Sequence, residues 1–257
     1  MQNLLDLTDR VVVVTGGNSG LGLGMVEGLL TAGAAVEVWG TNSTKNQSAA
    51  DSLSQYASKL SFEVVDVGDE ASVVEAMSAV AAKHGRLDAC FNNAGIVNGF
   101  AAPRFVDSSL EEFRRITRVN LDGHYLVMRE AARHMIEFGN GGSLVGTASL
   151  AVNFGAPREE SYAASKAGVQ AIMQSLAVEL GKFGIRANTL LPGWTMSVLT
   201  EAWTKESHAN EKIFPRIPVK RWGQPADWAG IAVYLASEAS SFHSGDSFTL
   251  DGGYSRF

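Results

Sequence analysis

Tyr162 and Lys166 stand four residues apart in a run of small side chains, SYAASKAG at 161–168. Four residues are close to one helical turn, so a helix here brings phenol and ammonium onto one face, about 5–6 Å apart at Cβ. That pairing can serve acid–base chemistry or be a solvated helix face; the pair alone does not choose. A second chemical stretch is VVVVTGGNSGLGLGMVEGLL at 11–30. It supplies a buried strand, a glycine-rich turn and a helix in the order a dinucleotide site requires. Gly16, Gly20 and Gly22 let the backbone approach a pyrophosphate, with Asn18, Ser19 and Leu21 beside them, and the helix N-terminus offers N–H groups with partial positive charge. The pattern is T-G-x-x-x-G-x-G opened by Thr15, not a strict G-x-G-x-x-G, because Gly20 and Gly22 are followed by Met25. The stretch reads as nucleotide-binding.

Positioning such groups is the task of the elements between them. Short apolar, β-branched runs at 10–16, 34–40, 60–66, 87–93, 142–148, 185–191 and 246–251 alternate with helical patterns at 21–31, 43–58, 69–83, 109–138, 161–182 and 225–236. Seven strands separated by helices predict parallel pairing with right-handed crossovers, an α/β three-layer doubly wound sheet of the Rossmann type. No proline-rich or glycine/serine linker breaks the series, so residues 1–257 are expected to form a single domain. The long irregular stretch after the sixth strand is expected to carry short helices and to form a substrate lid over about 194–220. In open α/β sheets ligands bind beyond the carboxyl ends of the strands, and this stretch leaves from such an end.

The 257 residues are 46% hydrophobic with a formal net charge of −6, which suits a soluble domain with a substantial core. The acidic balance argues against nucleic-acid and anionic-membrane partners, whose footprint is a basic face. No apolar run approaches the roughly 18 residues needed to span a bilayer. The opening MQNLLDLTDR lacks the basic start of a signal or transit peptide. The single cysteine, Cys90, excludes an internal disulfide framework and reads as a packed small hydrophobe; a cytoplasmic location is the simplest expectation. The five histidines show no metal-ligand spacing, so no catalytic metal is expected.

TGxxxGxG near the N-terminus, NNAG at 92–95 and YxxxK at 162–166 together resemble the short-chain dehydrogenase/reductase family. The likeness extends through Asp66-Val67, Asn120 in RVNLDGHY, Ser149 in GSLVGTAS, LLPGW at 190–194, RWGQP at 221–225 and LDGGYS at 250–255. Ser149 lies thirteen residues before Tyr162, the family's usual offset. The resemblance implies Tyr162 as general acid or base at a carbonyl or carbinol oxygen. It implies Lys166 as the cation that lowers the phenol pKa and bonds the nicotinamide ribose. Ser149 would hydrogen-bond the substrate oxygen, and Asn120 would hold a water linking Lys166 to solvent. Asn93, Ala94 and Gly95 would line the cofactor cleft, with Val67 beside Asp66. Asp66 would reach the adenine amino group, although a turn-forming aspartate explains DVGD as well. Pro192, Gly193 and Thr195 would border the nicotinamide, and Ser197 stands where the family usually has threonine.

An acid at the tip of the second strand would favour NAD over NADP. The corresponding residue is Gly40, with Thr41, Asn42, Ser43, Thr44 and Lys45 following, so the expectation leans to NADP, with NAD the alternative. Glu37 lies mid-strand, too early to serve. Phe154, Trp194, Met196 and lid residues around Trp203 are candidate substrate walls, which suggests a hydrophobic or ring-bearing ketone or secondary alcohol. The leading reading is an NAD(P)-dependent oxidoreductase; a 3-oxoacyl-thioester reductase and a sugar dehydrogenase stand as alternatives within it. A catalytically idle nucleotide-binding sensor is the alternative from another class. The resemblance also implies a homotetramer, for which the small residues Ala163, Ala164, Ala167 and Gly168 would allow close packing, within or between chains.

Overall fold

Four consecutive valines can all be buried only in a strand covered on both faces, and β1 (Val11–Thr15) is such a strand. Successive side chains point to opposite faces, so Val11 and Val13 enter one core layer while Val12 and Val14 enter the other. The computed structural model describes residues 3–99, 102–197, 200 and 211–256. The further strands are β2 (Ala35–Trp39), β3 (Leu60–Glu63), β4 (Ala89–Asn92), β5 (Gly142–Thr147), β6 (Ile185–Pro192) and β7 (Ser247–Leu250). All pair in parallel, in the order β3-β2-β1-β4-β5-β6-β7.

Helices cover both faces. α1 (Gly20–Thr31) and α7 (Ala229–Ala236) pack on the Val12/Val14 side through Met25, Leu29, Ala232 and Leu235. α3 (Glu70–His84), α5 (Gly123–Phe138) and α6 (Glu160–Leu180) cover the other through Met77, Val127, Met135 and Met173. Cys90 lies within that second layer, fully buried, its thiol pushed up to about 12 by desolvation.

Two helices differ from the sequence expectation. The helix expected over 43–58 stops at Ser52 as α2 (Ser43–Ser52), and a 3-10 turn follows at Ser54–Tyr56. The helix expected over 109–138 is α4 (Leu110–Thr117) and α5 joined by a π turn at Arg118–Asp122. Among the described residues no helix is long and apolar enough to cross a membrane. The expected lid falls partly outside the described residues: Trp203 and the whole of 201–210 lie there.

The chain builds β1, β2 and β3 outward in one direction, then returns to place β4 on the other side of β1. This reversal opens a crevice at the carboxyl ends of β1 and β4, where a doubly wound sheet binds its ligand.

Candidate active site

A cavity of about 890 Å³ occupies this crevice, running from Gly40 and Thr41 past the glycine-rich turn to Tyr162, Lys166 and Trp194. Its size is at the upper end of ordinary small-molecule sites. Gly16 and Gly20 take left-handed φ values of 65° and 53°, which a side chain would strain. Gly22 lies behind the turn and does not line the cavity: a Cβ there would sit 2.3 Å from the Gly16 carbonyl oxygen. Its contribution is the close passage of α1 beneath the turn, so of the three glycines expected at the pyrophosphate Gly16 and Gly20 line the cavity and Gly22 does not.

The N-terminus of α1 has no side-chain cap and no acidic residue in its first turn. The helices α2, α3 and α4 are each capped, by Asn42, Asp69 and Ser109. An uncapped N-terminus opening onto a cavity presents N–H donors and partial positive charge to an anion. The donors and the glycine turn therefore fit the pyrophosphate of a dinucleotide.

Thr15 ties the two sides of the crevice together. Its Oγ1 accepts from the N–H groups of Asn93 and Ala94 at 3.1 and 3.0 Å and donates to Asn92 Oδ1 at 2.6 Å. Asn93 Nδ2 returns to the Gly16 carbonyl oxygen at 3.2 Å. The Asn92 amide nitrogen lies 3.2 Å from His124 Nδ1, so that ring nitrogen accepts and the proton resides on Nε2, 3.3 Å from Met173 Sδ. Burial, reinforced by the Lys166 charge, pushes His124 down to about 3 and keeps it neutral. The sequence reading takes His124 only as a histidine without metal-ligand spacing; its place in RVNLDGHY, four residues after Asn120, is the only sequence signal of this role.

Tyr162 and Lys166 both face the cavity, from the first turns of α6. The Lys166 Nζ lies 5.7 Å from the Tyr162 ring centroid and donates to the Thr147 carbonyl oxygen at 2.8 Å. Burial lowers Lys166 to about 8. Ser149, just past β5, shares a hydrogen bond with the Tyr162 side chain, and its Oγ also accepts from the Ala151 N–H at 3.1 Å. The phenol pKa is raised, contrary to the expected lowering by Lys166. Burial raises it most, the Ser149 hydrogen bond opposes this, and the Glu159 charge adds to the rise. Tyr162 is a protonated donor at neutral pH.

Asn120 sits in the middle of the π turn, 1% exposed, and is not a cavity wall. Its Oδ1 accepts from the Ile96 N–H at 2.8 Å, and its Nδ2 donates to the Ile96 carbonyl at 2.9 Å and to Ser165 Oγ at 3.2 Å. These bonds make Asn120 a clip on the loop after NNAG. Ile96, Val97 and Gly95 on that loop line the cavity.

Asn18, Ser19, Leu21, Thr41, Asn42, Asp66, Val67, Asn93, Ala94, Pro192, Gly193, Thr195 and Ser197 are all cavity walls. Asp66 also forms the anticipated turn, accepting from the Gly68 N–H at 2.9 Å, and lies 3.1 Å from an Arg118 guanidinium nitrogen. Of the substrate candidates, Phe154 and Trp194 line the cavity. Met196 does not: its N–H bonds the Gly223 carbonyl at 2.8 Å beside the Thr195–Gly223 bridge, which carries the residue off the wall. Tyr254 is a wall that the sequence reading missed. It packs edge-on against Phe154 and Trp194, with centroids 6.3 and 6.4 Å away.

At the β2 tip, a Cβ on Gly40 would lie 2.3 Å from Asn18 Nδ2 and 2.8 Å from Asn46 Oδ1, two atoms that hydrogen-bond each other at 2.7 Å. The space of an acid at this position is filled by an amide pair. Glu37 is engaged on α3, by Lys83 at 2.8 Å and His84 at 2.7 Å. Among the described residues no cluster of three or more His, Cys, Asp or Glu could hold a metal ion.

Residues 16–255 match the family model described as enoyl-(acyl carrier protein) reductase. The chain is 34% identical over 249 residues to the 3-oxoacyl-[acyl-carrier-protein] reductase FabG of Chlamydia pneumoniae, covering 97% of this chain and 98% of the relative. It is 32% identical to the gluconate 5-dehydrogenase of Gluconobacter oxydans, covering 98% and 96%. Among solved structures, a gluconate 5-dehydrogenase from Burkholderia cenocepacia in complex with NADP and tartrate superposes with a TM-score of 0.91 at 31% identity, covering 99% and 98%.

Proposed function

Because this chain belongs to the short-chain dehydrogenase/reductase family, we propose that Tyr162, Lys166 and Ser149 carry out its proton chemistry at the mouth of the dinucleotide cavity. The protein is an NAD(P)-dependent oxidoreductase that interconverts CH–OH and C=O groups. When bound, the nicotinamide supplies or takes the hydride. The observation that supports the assignment is the meeting of Tyr162, Ser149 and Lys166 at one cavity end, with the phenol and the serine sharing a hydrogen bond. In the reductive direction the Tyr162 hydroxyl, protonated at neutral pH, donates its proton to the substrate oxygen. The Ser149 hydroxyl holds that oxygen and stabilises charge gathering on it. Lys166, fixed by the Thr147 carbonyl, offsets the charge left on the phenol. Asn120 acts through Ile96, holding the cavity loop in place.

NADP is the preferred cofactor in this reading. The β2 tip bears no carboxylate to repel a 2′-phosphate, and Thr41, Asn42 and Lys45 line the cavity beside it. The aromatic walls Phe154, Trp194 and Tyr254 favour a ring-bearing or hydrophobic carbonyl compound. The segment after β6, whose described residues Thr200, Lys212 and Ile213 reach the cavity, serves as its lid. A homotetramer in the cytoplasm completes the proposal. Its support is a largely apolar hollow between the π turn, α5 and α6, lined by Leu121, Asp122, Tyr125, Leu126, Gly168 and Ile172, where Tyr125 is 52% exposed. Gly168 is explained within the chain, since a Cβ there would sit 2.7 Å from Leu121 Cδ1.

The test is oxidation of NADPH and NADH across a ketone and sugar panel, followed at the reduced-nicotinamide absorbance. Turnover in the wild type, with a loss of about 10²–10⁴-fold in Tyr162→Phe and intact cofactor binding, is expected. Undiminished turnover in the variant refutes the role of Tyr162. Cofactor binding without turnover of any substrate favours a nucleotide sensor.

A further inference from the structure

Glu159 has no part in the chemistry above, yet it lines the same cavity, half-buried. It is the N-cap residue of α6, three before Tyr162, as Lys166 stands four after it, so carboxyl, phenol and ammonium line one cavity at the start of that helix. None of the described lysines, arginines or histidines forms an ion pair with Glu159. Its Oε2 accepts from the Asn98 N–H at 3.3 Å, and the Gly99 N–H adds a second backbone hydrogen bond. An ionised carboxylate accepts about four hydrogen bonds, so acceptor capacity is left over. Desolvation raises the Glu159 pKa and the Glu160 charge adds to the rise, against the lowering by the Asn98 and Gly99 N–H groups. A carboxylate on the wall of a cavity that Phe154, Trp194 and Tyr254 also line can take a hydrogen-bond donor from a ligand bound there.

We propose that Glu159 is a specificity-determining residue whose carboxylate accepts a hydrogen bond from a substrate hydroxyl one or two carbons from the reacting carbon. The substrate class is then a hydroxy ketone or the corresponding diol, not an isolated ketone or alcohol. The shared cavity carries the inference: the N-cap Glu159 and Tyr162, three residues on, both line it and the Glu159 charge acts on the phenol, so an oxygen held at Tyr162 and a neighbouring hydroxyl of one polyol can meet both. This rests on the assignment of Tyr162 as the proton donor to the substrate oxygen.

The test compares kcat/KM for 2-hydroxycyclohexanone and cyclohexanone with NADPH, in the wild type and in Glu159→Gln. The expected wild-type preference for the hydroxy ketone is at least tenfold, in keeping with a hydrogen bond to a charged group. Glu159→Gln is expected to cut that ratio at least fivefold, mainly through KM. A wild-type ratio below three, which needs no variant to fold, overturns the proposal. So does an unchanged ratio in Glu159→Gln, because a residue that only clamps the 96–99 loop lowers both substrates together. Failure of the underlying reading looks different: NADPH binds, as seen by tryptophan quenching, and neither ketone nor any of the wider panel turns over, which overturns both.

Discussion

Lys166 Nζ donates to the Thr147 carbonyl oxygen at 2.8 Å, tying α6 to the carboxyl end of β5. This anchor holds the ammonium 5.7 Å from the Tyr162 ring centroid, with burial lowering its pKa to about 8. Reduction that needs a charged Lys166 is expected to decline as pH rises through about 8, where the ammonium loses its proton. Lys166→Met is expected to lower kcat by on the order of 10²-fold and to remove that alkaline limb. A pH–rate series on both proteins checks this; an identical limb in the variant assigns it to another group.

His124 makes stability acid-sensitive. Its pKa falls from 6.5 in the unfolded chain to about 3 in the fold, so the unfolded state binds more protons and stability drops as pH falls below about 6.5. Between pH 7 and pH 5 this one group is expected to remove about 2 kcal/mol. Urea titrations at both pH values should show a smaller loss in His124→Gln, and equal losses would contradict the neutral buried ring.

Gly40→Asp alone is not expected to produce an NAD enzyme. The new Cβ would collide with the Asn18 amide nitrogen, 2.3 Å away, so affinity for both cofactors falls. Adding Asn18→Ala opens the space, and the NADPH-to-NADH ratio of kcat/KM is then expected to fall at least tenfold, which about 1.4 kcal/mol of repulsion between the new carboxylate and the 2′-phosphate suffices to give. Steady-state kinetics on single and double variants decide it.

Thr15→Val keeps the shape of β1 but strands the Asn93 and Ala94 N–H groups and the Asn92 Oδ1 that now share one hydroxyl. A loss of about 1–3 kcal/mol is expected from the buried groups left unpaired. Cofactor KM should rise with it, because the NNAG loop lines the cleft. A melting temperature and cofactor KM both equal to wild type would show the hub to be dispensable.

The alternation of apolar strands and longer helical patterns was legible because a parallel sheet covered on both faces demands continuous β-branched runs such as Val11–Val14. Helix ends were less so. Nothing in SLSQYASK marks the stop of α2 at Ser52, since those residues suit a helix as well as the 3-10 turn they form. The π turn at Arg118–Asp122 is likewise silent in a helical pattern, as it shifts backbone hydrogen bonds without altering side-chain type. Met196 is a candidate wall by sequence, but the bridge between Thr195 and Gly223 turns the chain there.

Local order along the chain determined the strands, the glycine turn and the one-turn pairing of Tyr162 with Lys166, because each depends on residues only a few positions apart. Tertiary structure alone decided that Ser149 reaches Tyr162, that Tyr254 closes the far wall, that Asn120 clips Ile96 and that amides fill the place of an acid at Gly40. It also decided the ionisation of the site, raising the phenol and Glu159 while lowering Lys166. The reason is that desolvation depends on everything packed around a group, and that surrounding is assembled from segments far apart in the chain.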